Sequence, residues 1–240
     1  MNSRSDAPQL PADGADADPD LARRQRCGFP EVIFGEGKSP ELVVRVLQQQ
    51  QQAGQRGLVT RVQSEHAAAV TRVFPQTIHH PTARTLLVPI GSETLPAAAV
   101  SADQMQSPDI QVAVVTAGSC DAAVAWEAVE TLRWMNVPCA LIQDVGVAGP
   151  HRLLKHVPLL QRMKAIVCVA GMEAALPSVV GGHVGCPVIG VPTSVGYGVS
   201  FQGVTALLSM MTCCASNVVT VNIDAGFRGG YVAGLMVQER

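Results

Sequence analysis

The segment AIVCVAGMEAALPSVVGGHVGCPVIGVPTSVGYGVSFQG, residues 165–203, decides the fold of this chain. It contains two continuous apolar runs, residues 165–170 and 188–191, and neither alternates polar with apolar side chains. That pattern is typical of parallel strands that are buried on both faces and joined by helical crossovers. The segment therefore predicts the centre of a parallel α/β sheet.

The loops that follow these two runs are the first candidate for a functional site, because ligands bind beyond the carboxyl ends of parallel strands. Residues 171–178 and 192–198 are rich in Gly, Ser and Thr, which let backbone N–H groups approach an anion. Glu173 is their obvious titratable group. We expect a binding site there, with tight strand-to-helix turns as the open alternative.

The same rhythm of strand and helix continues through the second half of the chain and predicts a doubly wound parallel sheet. The predicted strands are residues 110–115, 139–142, 165–170, 188–191 and 218–223. A helix is predicted over residues 201–212, and Pro158 should break the helical stretch that precedes the third strand.

The first half predicts a smaller α/β domain, in which Ser39 caps a helix that Pro40 begins. The segment before it is rich in Ala, Asp and Pro and is too polar to bury a core. We predict a disordered tail over residues 1–22, an N-terminal α/β domain with a linker over residues 23–108, and a second domain over residues 109–240.

Composition restricts the class of partner. The formal net charge is −2 with no dense basic block, so neither nucleic acid nor an anionic membrane surface is expected as the main partner. The seven cysteines are odd in number and form no C-x-x-C pair, which is typical of a reduced compartment. No secretory or membrane-spanning run is evident, and we expect a cytoplasmic protein with a small-molecule partner.

Polar residues recur where the predicted strands end, although the sequence has no dinucleotide fingerprint, Walker A loop or nucleophile elbow. This set comprises Thr116, Ser119, Asp121, Asp144, His151, Arg152, Glu173, Thr193, Ser194, Tyr197, Asn222 and Asp224. Singly, each residue is explained by helix capping, turn formation or solvation. Their shared position at one sheet edge indicates a pocket.

Several of these segments resemble the LarB family, which makes the first intermediate of the nickel-pincer nucleotide cofactor of lactate racemase. The motifs are GFPEVIFGEGK (28–38), DVGVAGPHR (144–152), VAGME (169–173), LPSVVGG (176–182) and VPTSVGYG (191–198). The resemblance runs from Gly28 to Phe227, and its second half is similar to the carboxyaminoimidazole ribonucleotide mutases of purine synthesis. It implies a flavodoxin-like three-layer sandwich with a carboxylase-like second domain, assembled as a homo-octamer.

The resemblance implies that nicotinic acid adenine dinucleotide is carboxylated at C5 of its pyridinium ring and its phosphoanhydride hydrolysed. The implied products are AMP and pyridinium-3,5-biscarboxylic acid mononucleotide, which the sulfur-inserting and nickel-inserting enzymes then use. Carbon dioxide or bicarbonate is the co-substrate, no organic cofactor is implied, and Mg²⁺ is a candidate ion. An aminoimidazole ribonucleotide carboxylase or mutase and a non-catalytic dinucleotide-binding protein remain alternatives.

The resemblance also implies residue roles. The family's Asn-Ser-Cys-Ala pattern falls on residues 212–215, making Cys214 the nucleophile, but Cys213 stands where Ser is usual and leaves the reacting thiol open. Glu173 is implied to remove the C5 proton. Further catalytic candidates are Asp144, His151 and Asp224. The implied substrate-binding residues are Thr116, Gly118, Ser119, Asp121, Arg152, Gly171, Met172, Thr193, Ser194, Gly196, Tyr197 and Gly198.

Overall fold

The computed structural model describes residues 18–100 and 110–238. These divide into two compact units, of which the first comprises residues 18–79 and 84–93 and the second the remainder. Most of the predicted tail and the predicted boundary near residue 108 lie outside the described residues.

The first unit is built on a mixed sheet with strand order β1-β2-β4-β3. Its strands are β1 Ile33–Phe34, β2 Gly57–Thr60, β3 Ile78–His80 and β4 Thr85–Val88, and its helices are α1 Arg23–Cys27, α2 Pro40–Gln52 and α3 Ser64–Val73. The predicted helix start is confirmed, because the Ser39 hydroxyl accepts a hydrogen bond from the Leu42 N–H at 3.3 Å and Pro40 is the first helical residue.

The second unit contains the predicted five-stranded sheet, with order β6-β5-β7-β8-β9 and every neighbouring pair parallel. Its strands are β5 Val112–Thr116, β6 Cys139–Ile142, β7 Ala165–Ala170, β8 Val188–Pro192 and β9 Val218–Thr220. Its helices are α4 Ala122–Trp134, α5 His151–Leu154, α6 Val157–Leu160, α7 Leu176–His183, α8 Val204–Met211 and α9 Gly226–Val237. The predicted flavodoxin-like fold is confirmed.

Helices cover both faces of this sheet. Ile166 and Cys168 belong to a core cluster with residues of α5, α6, α7 and α8. Val167 points to the other face, since neighbouring strand residues alternate, and there it lies beside Gly229 of α9. The sheet is therefore the middle layer of a three-layer sandwich, as predicted.

Three helical segments differ in how well the sequence predicted them. The break expected at Pro158 is confirmed, since α5 ends at Leu154 and Pro158 lies in the first turn of α6. The predicted helix 201–212 is a 3₁₀ segment, Gly198–Gly203, followed by α8, because Phe201 and Gln202 have left-handed backbone angles. Helix α9 was not predicted, since its four glycines disfavour an isolated helix.

Those glycines have a packing role. A Cβ atom on Gly230 would lie 2.5 Å from the Ala128 carbonyl oxygen, and one on Gly226 would lie 2.1 Å from the Val124 carbonyl oxygen. Only glycine allows the backbone of α9 to approach α4 this closely. Packing between the two helices therefore outweighs the low helix propensity of α9.

Across residues 18–100 and 110–238, none of the helices combines the length and the apolar character needed to cross a bilayer.

We predict that Gly230→Ala lowers the free energy of unfolding by about 1–3 kcal/mol, because the added methyl group overpacks the contact between α9 and α4. Gly182→Ala in α7 is the matched control, since its Cβ would have no heavy atom within 4 Å, and it should be more stable by about 0.5–1 kcal/mol. Urea denaturation measures the free energy of unfolding of both variants and of wild type. Equal changes in the two variants would contradict the packing argument.

Candidate active site

A cavity of about 330 Å³ opens at the carboxyl edge of the second unit's sheet. It is enclosed by the loops after β5, β6 and β7, together with Val195 from the loop after β8. The lining residues are Ala117, Gly118, Ser119, Cys120, Asp121, Asp144, Gly146, Val147, Ala148, Arg152, Ala170, Gly171, Met172, Glu173, Ala174, Ala175, Leu176 and Val195. Eight predicted site residues are among them: Gly118, Ser119, Asp121, Asp144, Arg152, Gly171, Met172 and Glu173.

Asp121 ties the loops of the cavity together. Its side chain is buried, with Oδ1 accepting a hydrogen bond from the Thr193 hydroxyl at 2.8 Å and Oδ2 accepting one from the Gly118 N–H at 2.9 Å. Burial raises the pKa of Asp121, and the hydrogen bonds from Thr193, Gly118 and the Gly171 N–H oppose that rise. The Asp121 carboxyl group thus joins the loops after β5, β7 and β8.

Asp144 and Arg152 form an ion pair at the cavity. The Arg152 Nη1 atom lies 2.6 Å from Oδ2 of Asp144, and both side chains are partly accessible to solvent. Asp144 has a left-handed backbone angle of φ 57°, and its N–H donates a hydrogen bond to the buried Thr116 hydroxyl at 3.0 Å. The end of β5 therefore fixes the start of the loop that carries the ion pair.

Glu173 lies on a strained loop. Its neighbours Met172 and Ala174 both have left-handed backbone angles, which cost a residue with a side chain about 1 kcal/mol or more. The Met172 N–H donates to the Val195 carbonyl oxygen at 3.0 Å, and a Cβ atom on Gly171 would lie 2.4 Å from that oxygen. Close contact with the loop after β8 thus holds the exposed Glu173 at the cavity.

The loop after β8 is fixed beside the cavity by Asp224. The Ser194 N–H donates to Oδ1 of Asp224 at 2.8 Å, while the Asp224 N–H donates to the Pro192 carbonyl oxygen at 2.8 Å. Asp224 itself has a left-handed backbone angle. The ends of β8 and β9 are therefore joined, and the predicted residues Thr193 and Ser194 support the cavity without lining it.

The remaining residues of that loop, Gly196, Tyr197 and Gly198, also lie beyond the lining. Both glycines have positive φ angles, and a Cβ atom on Gly196 would lie 2.7 Å from that of Ser200. Tyr197 between them is 80% exposed.

Three predicted catalytic residues are absent from the cavity lining of one chain: Asp224, which fixes the loop after β8, His151 and Cys214. His151 is exposed at the first position of α5 and is absent from the lining. Cys214 is exposed between α8 and β9, at the opposite, amino edge of the sheet. That position follows from the Asn217 carbonyl oxygen, which accepts a hydrogen bond from the N–H of Val188, the first residue of β8. Because a crossover helix returns the chain to the amino edge before the next strand begins, residues between α8 and β9, including Cys214, are expected at that edge.

The structure also brings to the cavity a residue that was not predicted as part of the site. Cys120 lines it and is exposed. Its position between two predicted site residues, Ser119 and Asp121, was the available signal.

The thiols differ in their surroundings. Burial raises the pKa of Cys139 to about 12 and raises that of Cys168 as well, so both stay protonated near neutral pH. Cys120 and Cys214 are exposed, and Cys213 is partly buried with its thiol 3.8 Å from the Ala215 carbonyl oxygen. The cysteines with exposed side chains are therefore Cys27, Cys120 and Cys214.

The cavity has a surplus of negative charge. Its described lining includes the carboxyl groups of Asp121, Asp144 and Glu173 and one guanidinium group, that of Arg152. Even with Asp121 protonated, two carboxylates oppose one guanidinium. In the described parts of the chain, no group of three or more His, Cys, Asp and Glu side chains is arranged to hold a metal ion. The charge surplus allows the cavity to attract a cationic group.

The sheet order and the cavity at its carboxyl edge define an α/β protein of the flavodoxin-like class. Comparison with known families extends this assignment: residues 12–90 match the LarB/PurE-like N-terminal domain, and residues 111–239 match AIR carboxylase. The chain belongs to the AIR carboxylase family, in its LarB-related branch. This result confirms the resemblance found in the sequence and indicates an enzyme of the carboxylase or mutase type.

Two relatives illustrate the range of similarity. An uncharacterized protein of Methanocaldococcus jannaschii is 34% identical over 224 residues, which cover 91% of this chain and 83% of the relative. A probable N5-carboxyaminoimidazole ribonucleotide mutase of Methanobrevibacter smithii is 29% identical over 130 residues, covering 51% of this chain and 36% of the relative. The first similarity therefore spans both matched domains, and the second spans about half of the chain.

We predict that Asp121 makes stability depend on pH. Because burial raises its pKa above the ordinary 3.8, the folded protein binds the proton more tightly than the unfolded chain does. This contribution is fully present below about pH 3.8 and is lost as the pH rises through the raised value. Urea denaturation across this pH range should show wild type losing stability relative to Asp121→Asn as pH increases. Parallel stability curves for wild type and Asp121→Asn would contradict the prediction. Thr193→Val is the control, because it keeps the Asp121 carboxyl group and should retain the pH dependence.

Proposed function

We propose that this protein carboxylates the pyridinium ring of nicotinic acid adenine dinucleotide at C5 and hydrolyses the phosphoanhydride. Carbon dioxide supplies the new carboxyl group, and the products are AMP and pyridinium-3,5-biscarboxylic acid mononucleotide. Sulfur-inserting and nickel-inserting enzymes would use the second product in making the nickel-pincer cofactor. The match of residues 12–90 to the LarB/PurE-like N-terminal domain supports this branch of the family.

The observation that carries the choice of substrate is the surplus of carboxylates in the cavity. A pyridinium ring has a fixed positive charge, so Asp144 and Glu173 attract it electrostatically. In the described lining the cationic group is the Arg152 guanidinium, which suits a phosphate of the substrate. The phosphate would replace Asp144 as the ion-pair partner of Arg152 and leave the Asp144 carboxylate to the ring. One cavity thus offers complementary charge to both the ring and the phosphate of a pyridinium nucleotide.

The ring must first become more electron-rich, because a pyridinium carbon is too electron-poor to attack carbon dioxide. We assign the first step to the Cys214 thiolate, which forms a C–S bond at C4 and gives a neutral dihydropyridine. C5 is then an enamine carbon and forms a C–C bond to carbon dioxide. Loss of the C5 proton and cleavage of the C–S bond restore the pyridinium ring and the thiolate, so the sequence needs no oxidant.

Glu173 is our candidate for the base that removes the C5 proton. Its carboxylate lies at the cavity on a loop that Gly171 and Val195 hold in close contact, so its position is defined by the scaffold. A base must come within hydrogen-bonding distance of the proton that it removes. The remaining candidates, Asp144, His151 and Asp224, are proposed to orient the ring or the water that cleaves the phosphoanhydride. Mg²⁺ required for that cleavage would be bound mainly through the substrate phosphates.

The position of Cys214 at the amino edge requires a second copy of the chain in this proposal. Helix α8 exposes the apolar side chains of Val204, Leu208 and Met211, which lie three and four residues apart and so share one face. This exposed face ends next to Cys214. We propose that a homo-oligomer, with the octamer as the expected size, covers this face and brings the thiol of one subunit to the cavity of another.

We predict that the purified protein, incubated with nicotinic acid adenine dinucleotide, bicarbonate and Mg²⁺, releases AMP and a nicotinate mononucleotide heavier by one carboxyl group. Mass spectrometry detects both products. Cys214→Ala should lose carboxylation, because C5 cannot become nucleophilic without the thiol adduct. Cys213→Ser is the matched control and should retain activity.

Two results would contradict the assignment. Absence of both products with the wild-type protein would count against the substrate, and carboxylation by Cys214→Ala would refute the covalent step. A parallel reaction with a metal chelator in place of Mg²⁺ tests the ion requirement.

The second candidate function is that of a carboxyaminoimidazole ribonucleotide mutase, which the AIR carboxylase match over residues 111–239 favours. Aminoimidazole ribonucleotides are tested in the same assay. Their turnover without that of the dinucleotide would select this alternative.

We also predict that two inactive variants complement each other, because the proposed site combines Glu173 from one chain with Cys214 from another. Co-expressed Glu173→Gln and Cys214→Ala chains should recover about a quarter of wild-type activity, since half of the cavities retain Glu173 and half of the thiol donors retain Cys214. Each variant alone is the control. Mixed oligomers that stay inactive, with both chains verified by mass, would place both residues of the site in one chain.

A further inference from the structure

The cavity is small for a dinucleotide. Its volume of about 330 Å³ lies near the lower end of the range of roughly 300–1,000 Å³ for ligand cavities. If the nicotinate mononucleotide half fills it, as the proposed function requires, the adenosine half must lie on the surface beside the opening. An adenine ring on a protein surface needs a flat apolar partner, and aromatic side chains provide this for every base.

Tyr197 is an exposed aromatic residue on the loop that contributes Val195 to the cavity lining. It follows the lining residue Val195 by two positions and is 80% exposed. Its loop is tied to the lining, because the Met172 N–H donates to the Val195 carbonyl oxygen and the Met172 sulfur lies 3.6 Å from the Cβ position of Gly196. The phenol ring therefore extends from backbone that directly adjoins the cavity.

The backbone around Tyr197 is held in an unusual conformation. Gly196 and Gly198 both have positive φ angles, and the Tyr197 carbonyl oxygen accepts a hydrogen bond from the Ser200 N–H at 3.2 Å. Phe201 and Gln202 add two left-handed residues, each costing about 1 kcal/mol or more. Such strain is concentrated at ligand-binding segments, and here it accompanies an aromatic ring that the fold leaves uncovered.

We propose that Tyr197 is the stacking surface for the adenine base of the dinucleotide. The phenol ring contacts the base face to face while the Arg152 side of the cavity receives the phosphates. This subsite distinguishes a dinucleotide from a mononucleotide, because only the dinucleotide has a second base. The inference rests on the proposed function for the identity of the ligand, but its test measures binding and needs no turnover.

The test uses isothermal titration calorimetry of the purified protein with AMP and, separately, with nicotinic acid mononucleotide. Tyr197→Ala should weaken AMP binding by roughly 5- to 150-fold, the range expected for one base stacked on an aromatic ring. Binding of nicotinic acid mononucleotide should change less than about twofold, since its ring occupies the cavity. Tyr197→Phe should restore AMP affinity, because it keeps the aromatic face.

Val199→Ala is the matched control, since Val199 is 75% exposed in the same segment and is aliphatic. It should leave the affinity for AMP unchanged. The proposal is overturned if Tyr197→Ala weakens the binding of both ligands equally or of neither ligand. A smaller oligomer in the Tyr197→Ala variant, measured by light scattering, would also overturn it and assign the ring to a contact between subunits.

Failure of the proposed function gives a different result. Selective loss of AMP binding in Tyr197→Ala, together with no turnover of the dinucleotide by wild type, would retain the adenine subsite and reject the carboxylation. Turnover of the dinucleotide by wild type, with no effect of Tyr197→Ala on AMP binding, would retain the carboxylation and reject the adenine subsite.

Discussion

The buried carboxyl group of Asp121 connects loops that belong to different strands. Its partners are the Thr193 hydroxyl after β8 and the Gly118 N–H after β5. Parallel strands are paired along their length, but nothing in that pairing fixes the loops beyond their ends. Side-chain hydrogen bonds must do so, and burial makes the loss of one partner costly. The shape of the cavity therefore depends on one carboxyl group that is barely accessible to solvent.

Backbone strain is the second common feature of this sheet edge. Asp144, Met172, Ala174 and Asp224 all have left-handed backbone angles, although none is glycine. A residue stays in that conformation when its surroundings determine its position. The hydrogen bonds that the Asp144 and Met172 N–H groups donate to the Thr116 hydroxyl and the Val195 carbonyl oxygen provide such restraints. The sheet, which is buried on both faces, supplies the stability that tolerates this cost. Rigid strands and strained loops together hold charged side chains in a small space.

The central strands were predictable from sequence because each is a short apolar run bounded by Gly, Pro or polar residues. Residues 139–142 and 165–170 were placed with their observed bounds. The last strand is shorter than predicted, ending at Thr220, because the chain turns there toward Asp224. Helix α9 could not be found by propensity, since its glycines are explained only by the neighbouring helix α4.

The candidate site was predictable to the extent that it follows strand ends. Asp121, Asp144 and Glu173 all meet at the cavity, because parallel strands direct their loops to one edge. The resemblance identified Cys214 by its sequence motif, which does not show where the residue lies in the fold. In the structure Cys214 lies at the amino edge of the sheet, where the crossover from β8 to β9 ends. Pairing of Asp144 with Arg152 depends on side-chain positions that no spacing rule specifies.

The close contact between α9 and α4 also has a consequence for the order of events during folding. Helix α9 follows all five strands of its sheet, and it covers Val167 and Val191 through Gly229. Until it has been synthesised, these apolar side chains lack their cover, and its glycines disfavour its formation as an isolated helix. The second unit is therefore expected to complete its core only after α9 has been synthesised, and until then the nascent chain exposes an apolar sheet face that is prone to aggregation.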